Sequence, residues 1–151
     1  MAKMKNIFIL IIVFVSYNCN APQEHADKIK LEFRLAETQP GPGLKEMSMY
    51  KTGDKFYVHN RILLTNDDIK SARFTLWQNH PGIELSMTDS GKAKWAGITG
   101  QNMGKNIAMI LDGKLVCAPL VRARIDVGIA IINGLFTEKE ARRIASGLSS
   151  E

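Results

Sequence analysis

Three histidines, two cysteines and one glycine–lysine run are the residues of this chain with the clearest chemical reach. An imidazole can ligate a metal or pass a proton. His25, His59 and His80 are far apart, however, and none opens an H-E-x-x-H motif, so no metal or proton-relay site is expected. The two thiols, Cys19 and Cys117, form no Cys-x-x-Cys and cannot build a zinc site alone. Cys117 alternates within an apolar strand with no base nearby, so it reads as a small buried hydrophobe rather than a nucleophile. Gly104-Lys105-Asn106 invites a phosphate-binding reading. It fails, because Thr99 occupies the leading glycine position and Asn106 replaces the hydroxyl that would hold magnesium. Asp67 and Asp68 follow Thr65 and suit the positive end of a helix better than a metal. There is no G-x-S-x-G elbow. The expectation is no enzyme, no cofactor and no metal.

Cys19 has a different context. Met1 to Lys5 is basic, and Ile7 to Val15 is a run of nine apolar residues. A membrane-spanning helix needs about 20 such residues, so the run has the length of a signal-peptide core. Two exits are open. Cleavage after Ala21 would leave Pro22 directly past the cut. Alternatively, Val15-Ser16-Tyr17-Asn18-Cys19 resembles a bacterial lipobox. Asn18 there replaces the usual small residue, and no Leu stands three residues before the cysteine. The second exit makes residues 1–18 a lipoprotein signal and Cys19 the lipidation site. Residues 19–29 are then a polar, proline-containing tether and 30–149 the folded domain.

With 151 residues the chain is one domain plus this leader, given roughly 100–200 residues per domain. Apolar residues at 45% and charged residues at 23% are ordinary globular values and exclude wholesale disorder. Loss of residues 1–18 removes Lys3 and Lys5 and lowers the formal charge from +5 to +3. That excess is mild, no basic block occurs, and nucleic acid is not an expected partner.

The elements follow from periodicity. Leu31, Phe33 and Leu35 alternate as a half-buried strand. Gln39 to Gly43 is a loop. Met47–Tyr50 and Phe56–Val58 flank a hairpin turn at Thr52-Gly53-Asp54. Thr65 caps a short helix that continues through Ile69 and Ala72. Phe74 to Trp77 is a strand or a helix end. His80-Pro81-Gly82 is a turn, and Ile83, Leu85 and Met87 alternate as a strand. Thr88 opens a helix carrying Trp95 and Ile98. Ile107–Leu111 and Leu115–Leu120 form a hairpin about Asp112-Gly113, where both positions tolerate positive φ. Ile125, Val127, Ile129 and Ile131 alternate as the last strand, with Gly128 a bulge or close approach. Thr137 to Glu140 is a capping box. Ala141, Ile144, Ala145 and Leu148 then form one helical face, expected to bury against the sheet that holds the Asp112 hairpin. The order of elements implies an α+β fold with a mixed, mostly antiparallel sheet packed by two to three helices. Pro40, Gly41, Asp112 and Gly113 lie on connections, where binding tends to concentrate, and are the candidate binding surface.

A family resemblance rests on motifs in fixed order. Gly104 precedes an apolar, Ala108-containing strand ending Leu111-Asp112-Gly113. Leu115 to Pro119 returns, followed by Ile125 to Gly128, Ile131 to Gly134, and Phe136-Thr137 with Glu140-Ala141. Upstream, Phe33-Arg34-Leu35, Leu64 to Ile69, and Gly91 to Thr99 with Trp95 also match. This set resembles the head subdomain of the large periplasmic domain of SecD/SecDF. Lys92 stands where that family has a small residue, so packing there is expected to use its aliphatic stem. The resemblance implies a non-catalytic binding module in the cell envelope, outside the cytoplasmic membrane. Its implied partners are proteins, either Sec translocon components or exported polypeptides; membrane contact through a lipid anchor is expected from the Cys19 pattern instead. The alternative is an envelope module for another ligand, unrelated to export.

Overall fold

The structure is a computed structural model that describes residues 27–149. The proposed signal, Cys19 and His25 lie outside the described residues. Strands β1 (Leu31–Glu37), β2 (Lys45–Ser48), β3 (Lys55–Thr65), β4 (Ile69–Trp77) and β5 (His80–Met87) come first. Helix α1 (Asp89–Gln101), strands β6 (Asn106–Leu111), β7 (Lys114–Cys117) and β8 (Ile129–Ile132), and helix α2 (Glu138–Leu148) follow. The strands form two antiparallel sheets, ordered β2-β3-β1-β6-β7 and β4-β5-β8. The α+β reading holds, with two sheets and two helices.

β1 is the middle strand of the first sheet, pairing Phe33 with Leu64 on one side and with Met109 on the other. Its predicted face is buried: Leu31 and Phe33 join Ile83, Leu85 and Ile132 of the second sheet in one core. α1 adds Trp95, whose ring meets Phe33 edge-on at 5.5 Å between centroids. The opposite face of the first sheet carries a smaller cluster of Ala36, Val58, Ala108, Ile110, Leu115 and Ala118 under Met47, Met49 and Phe56. The chain after β2 folds across this face, and Tyr50 N–H donates to Leu115 C=O at 2.7 Å, so the two ends of the sheet nearly meet. Ile29, at the end of the segment read as tether, is already part of the body: it is buried, and its N–H donates to Gly147 C=O.

Several expectations are corrected. The Thr65 capping box is present but starts only a 3-10 turn, Asn66–Asp68. Asp68 C=O accepts Thr88 N–H at 2.9 Å instead of continuing a helix, and Ile69 and Ala72 enter β4 with Phe74–Trp77. The β4–β5 turn is Gln78-Asn79, both at positive φ, rather than His80-Pro81-Gly82. Gly82 instead lies inside β5, where a Cβ would come within 3.2 Å of the Ile132 carbonyl. β8 is short and its phase is the reverse of the predicted one. Ala130 and Ile132 are buried, Ile129 is exposed, and Ile125 and Val127 belong to the preceding loop. Gly128, at φ 67°, resets the alternation, and the Lys92 stem packs against it as expected.

The Asp112-Gly113 turn has positive φ at both positions. α2 begins at the Thr137–Glu140 capping box and buries Ala141, Ala145 and Leu148. It packs on β4 and β5, not on the sheet of the Asp112 hairpin, and Ile144 is only half-buried. Two contacts explain the choice. Arg142 stacks on Phe74 at 4.1 Å, and the Ser149 hydroxyl bonds both backbone groups of Ala72.

Gly91 sits where α1 meets Asp68, and a Cβ there would overlap the Asp68 carbonyl. Gly91→Ala is therefore expected to destabilise by about 1–3 kcal/mol through overpacking, outweighing its gain in helix propensity. Urea unfolding of the pair of proteins measures this.

Candidate functional site: an apolar groove between the sheets

The two sheets diverge at one side and leave a groove of about 450 Å³. Ile129–Ile131 of β8 form one wall and Pro119–Ala123, past the end of β7, the other. Trp95 and Thr99 of α1, with Ile107 and Met109 of β6, line the interior. Thr99 fixes the geometry. Its hydroxyl donates to Trp95 C=O at 2.8 Å and accepts Ile125 N–H at 2.9 Å, joining α1 to the loop that leads into β8.

The lining is apolar, and three large apolar side chains on it face solvent: Trp77 at 46%, Leu120 at 44% and Ile129 at 40% exposure. Trp95 is 3% exposed, yet its indole Nε1–H has no hydrogen-bond partner among the described residues. A buried donor without a partner costs about 1–3 kcal/mol. Arg122 is the one charged residue of the lining and forms no ion pair among the described residues. A smaller cavity of about 220 Å³, with Tyr50, His80 and Leu135, adjoins the groove through Trp77 and Asn133.

The earlier candidates lie elsewhere. Pro40 and Gly41 follow β1, whereas Asp112 and Gly113 follow β6. In the β1–β6 register Ala36 faces Asn106 and Leu31 faces Leu111, so the two turns stand at opposite ends of the sheet and form no common surface. Asp112 instead borders a cavity of about 300 Å³ with Asp27, Lys114, Glu140 and Arg143. There Lys51 bonds Glu140 at 2.8 Å, and with the Thr137 N–H and hydroxyl it lowers that carboxyl to about 2. Asp68 is a structural group: its carboxylate accepts Thr65 N–H and pairs with Lys94. His59 pairs with Glu37 on the surface. Lys105 follows Gly104, at φ 79°, where the helix end turns toward β6.

The groove itself was not read from the sequence. Its signal was the uncharged Ile129-Ala-Ile-Ile132 run, which has no alternating polar residue, beside an exposed Leu76-Trp77 pair at a strand end.

The family model of the SecDF P1 head subdomain matches residues 44–151. The chain belongs to the SecDF P1 head subdomain family. It is 40% identical over 89 residues to the protein translocase subunit SecDF of Thermus thermophilus, covering 58% of this chain and 12% of that protein. Against SecD of Rhodothermus marinus the identity is 36% over 94 residues, covering 62% and 15%. Against SecD of Sebaldella termitidis it is 38% over 101 residues, covering 66% and 24%. The chain therefore spans a quarter or less of each of these relatives. Among solved structures, SecDF in its super-membrane-facing form superposes with a TM-score of 0.68 at 28% identity, over 82% of this chain and 19% of that one. A second SecDF structure, described as a membrane component that enhances protein export, gives 0.66 at 28% identity over 82% and 63%. No helix among the described residues is long and apolar enough to cross a membrane.

Cys117 lies between the sheets and is buried, and burial pushes its thiol up to about 12. Its folded value thus exceeds the unfolded one. Its contribution to stability is complete below pH 9 and is lost as pH rises from 9 toward 12. Iodoacetamide at pH 8 is expected to leave Cys117 unmodified in the native protein and to alkylate it fully in 6 M guanidinium; peptide mapping distinguishes it from Cys19.

Proposed function

We propose that this head subdomain is a non-catalytic, exported module that binds protein, either a component of the export machinery or an extended polypeptide emerging from it. The observation that carries this reading is the groove, an apolar surface with Trp77, Leu120 and Ile129 exposed on a head-subdomain fold. Monomeric proteins rarely leave such side chains clustered on a concave surface unless something covers them. Family membership supports a role connected with protein export.

The N-terminal pattern supports the location. Residues 1–18 act as the signal, Cys19 carries the lipid, and the segment from Cys19 to Ile29 joins the lipid to the body. The domain is then held in the cell envelope, outside the cytoplasmic membrane. A diacylated, N-acylated cysteine brings more than one chain to the bilayer, which suffices for stable attachment, whereas one myristoyl-length chain gives only marginal binding. The Asp112-Gly113 and Pro40-Gly41 turns serve as secondary contacts at opposite ends of the first sheet.

Two measurements test this. The mature protein is expected to bind a reduced, carboxymethylated protein, a soluble model of an unfolded chain. Leu120→Asp should weaken that binding at least tenfold while changing the unfolding free energy by no more than about 0.5 kcal/mol, as for exposed positions generally. Failure to bind any unfolded chain or export component would overturn the reading. Mass spectrometry of the mature N-terminus is expected to find lipid on Cys19, and Cys19→Ala should release the protein from membranes or leave a precursor. A chain beginning at an unmodified Pro22 would refute the anchor.

A further inference from the structure

Among the described residues four strand edges bound the two sheets: β2 and β7 in the first, β4 and β8 in the second. An unpaired edge is a template for another chain, and folded proteins blunt it with charge or cover. Three of these edges are blunted. β2 is four residues long and carries Lys45 and Glu46. On β7, Lys114 opens the strand and Leu115 C=O accepts Tyr50 N–H. β4 carries Lys70 and Arg73, and the Ser149 hydroxyl accepts Ala72 N–H at 2.9 Å and donates to Ala72 C=O at 2.7 Å. β8, Ile-Ala-Ile-Ile, has no charge, no proline and no such clasp.

The direction of its free edge follows from one hydrogen bond. Gly128 C=O accepts Met87 N–H at 2.9 Å, so Gly128, Ala130 and Ile132 turn their backbone groups to β5. Alternation turns those of Ile129 and Ile131 the other way. These are the residues that line the groove, together with Trp95. The far wall is already paired behind itself: Ile107 N–H donates to Pro119 C=O and Val121 N–H to Lys105 C=O. The opening therefore lies between the free edge of β8 and a segment already paired on its other side.

We propose that the groove takes an extended polypeptide segment as a fourth strand of the second sheet, paired along Ile129–Ile132. The inference rests on the polypeptide-binding reading above and adds the binding mode and the class of segment. Main-chain pairing supplies the affinity, and pockets for alternate side chains supply the preference. The walls select apolar, β-branched residues at alternate positions. Arg122, the one charge of the lining, selects a carboxylate beside the apolar run.

The probe is an acetylated, amidated peptide of alternating valine and threonine ending in one glutamate, titrated into the full mature protein by calorimetry. Binding is expected, with hydrogen exchange at the Ile129 and Ile131 amides slowed at least tenfold. Alternate backbone N-methylation of the peptide should weaken it at least tenfold. Ile129→Lys, an exposed site, should do the same with the unfolding midpoint unchanged. Replacing the peptide glutamate by glutamine should weaken binding to the native protein but not to Arg122→Gln. Equal binding of the N-methylated peptide would overturn strand addition while leaving polypeptide binding intact. Binding of neither this peptide nor a carboxymethylated protein would remove both. Conversion of a dimer to a monomer by Ile129→Lys would assign the edge to a second copy of the chain and overturn the proposal.

Discussion

Asp68 commits its backbone carbonyl and both carboxylate oxygens to other elements. The carbonyl accepts Thr88 N–H and the Thr88 hydroxyl; one carboxylate oxygen accepts Thr65 N–H and the other meets Lys94 Nζ. This residue stands where the chain leaves the first sheet for the second, and the same bonds seat the first turn of α1 against the crossing. Everything at the groove depends on that seat. α1 carries Trp95 against Phe33 and Thr99 against Ile125, so the position of one wall is set from the far end of the helix. The junction is tight, with Asp68 5% exposed and no room at Gly91 for a methyl group. A buried carboxylate is tolerable there because each oxygen has a donor.

Local chemistry was legible in the sequence wherever the cause was local. Thr137 and Glu140 bond each other's backbone N–H groups as their spacing required, and Asp112-Gly113 turns with both φ positive. Leu31 and Phe33 are buried as their alternation implied. The misses have tertiary causes. Nothing near Thr65 says that its turn will stop after three residues; Thr88, twenty positions on, claims the carbonyl that would have continued it. The β8 residues are apolar on both sides, so alternation cannot assign a face, and the register with β5 decides it. α2 displays its apolar stripe plainly, but which sheet receives it depends on Phe74 and Ala72. The groove was hidden for the same reason, since its walls are the segment 119–123 past β7 and residues 129–131 of β8, and its interior is drawn from α1 and β6.

The molecule divides its polar and apolar surface unevenly. Charged pairs such as Lys55–Glu46, Arg73–Glu84 and Arg142–Glu138 lie on the exposed strands and on α2. Such pairs contribute little to stability one by one, yet they keep most of the surface wet and unwelcoming to another chain. Among the described residues the lining of the groove holds no such pair. A core drawn from both sheets and both helices can support this local concession, because the groove interior shares Trp95, Ile107 and Met109 with it.

The central position of β1 shapes how the chain reaches its fold. Its partner on one side, β3, is a near neighbour in sequence, but Leu31 pairs with Leu111 on the other. A chain made or delivered from its N-terminus therefore presents β1 long before β6 exists. Until residue 111 arrives, the first three strands have half a sheet and an open apolar face. The contact order of this pairing is high, and closure of distant segments is slow compared with hairpin formation. The sheet around β1 is therefore complete only once that distant partner has paired.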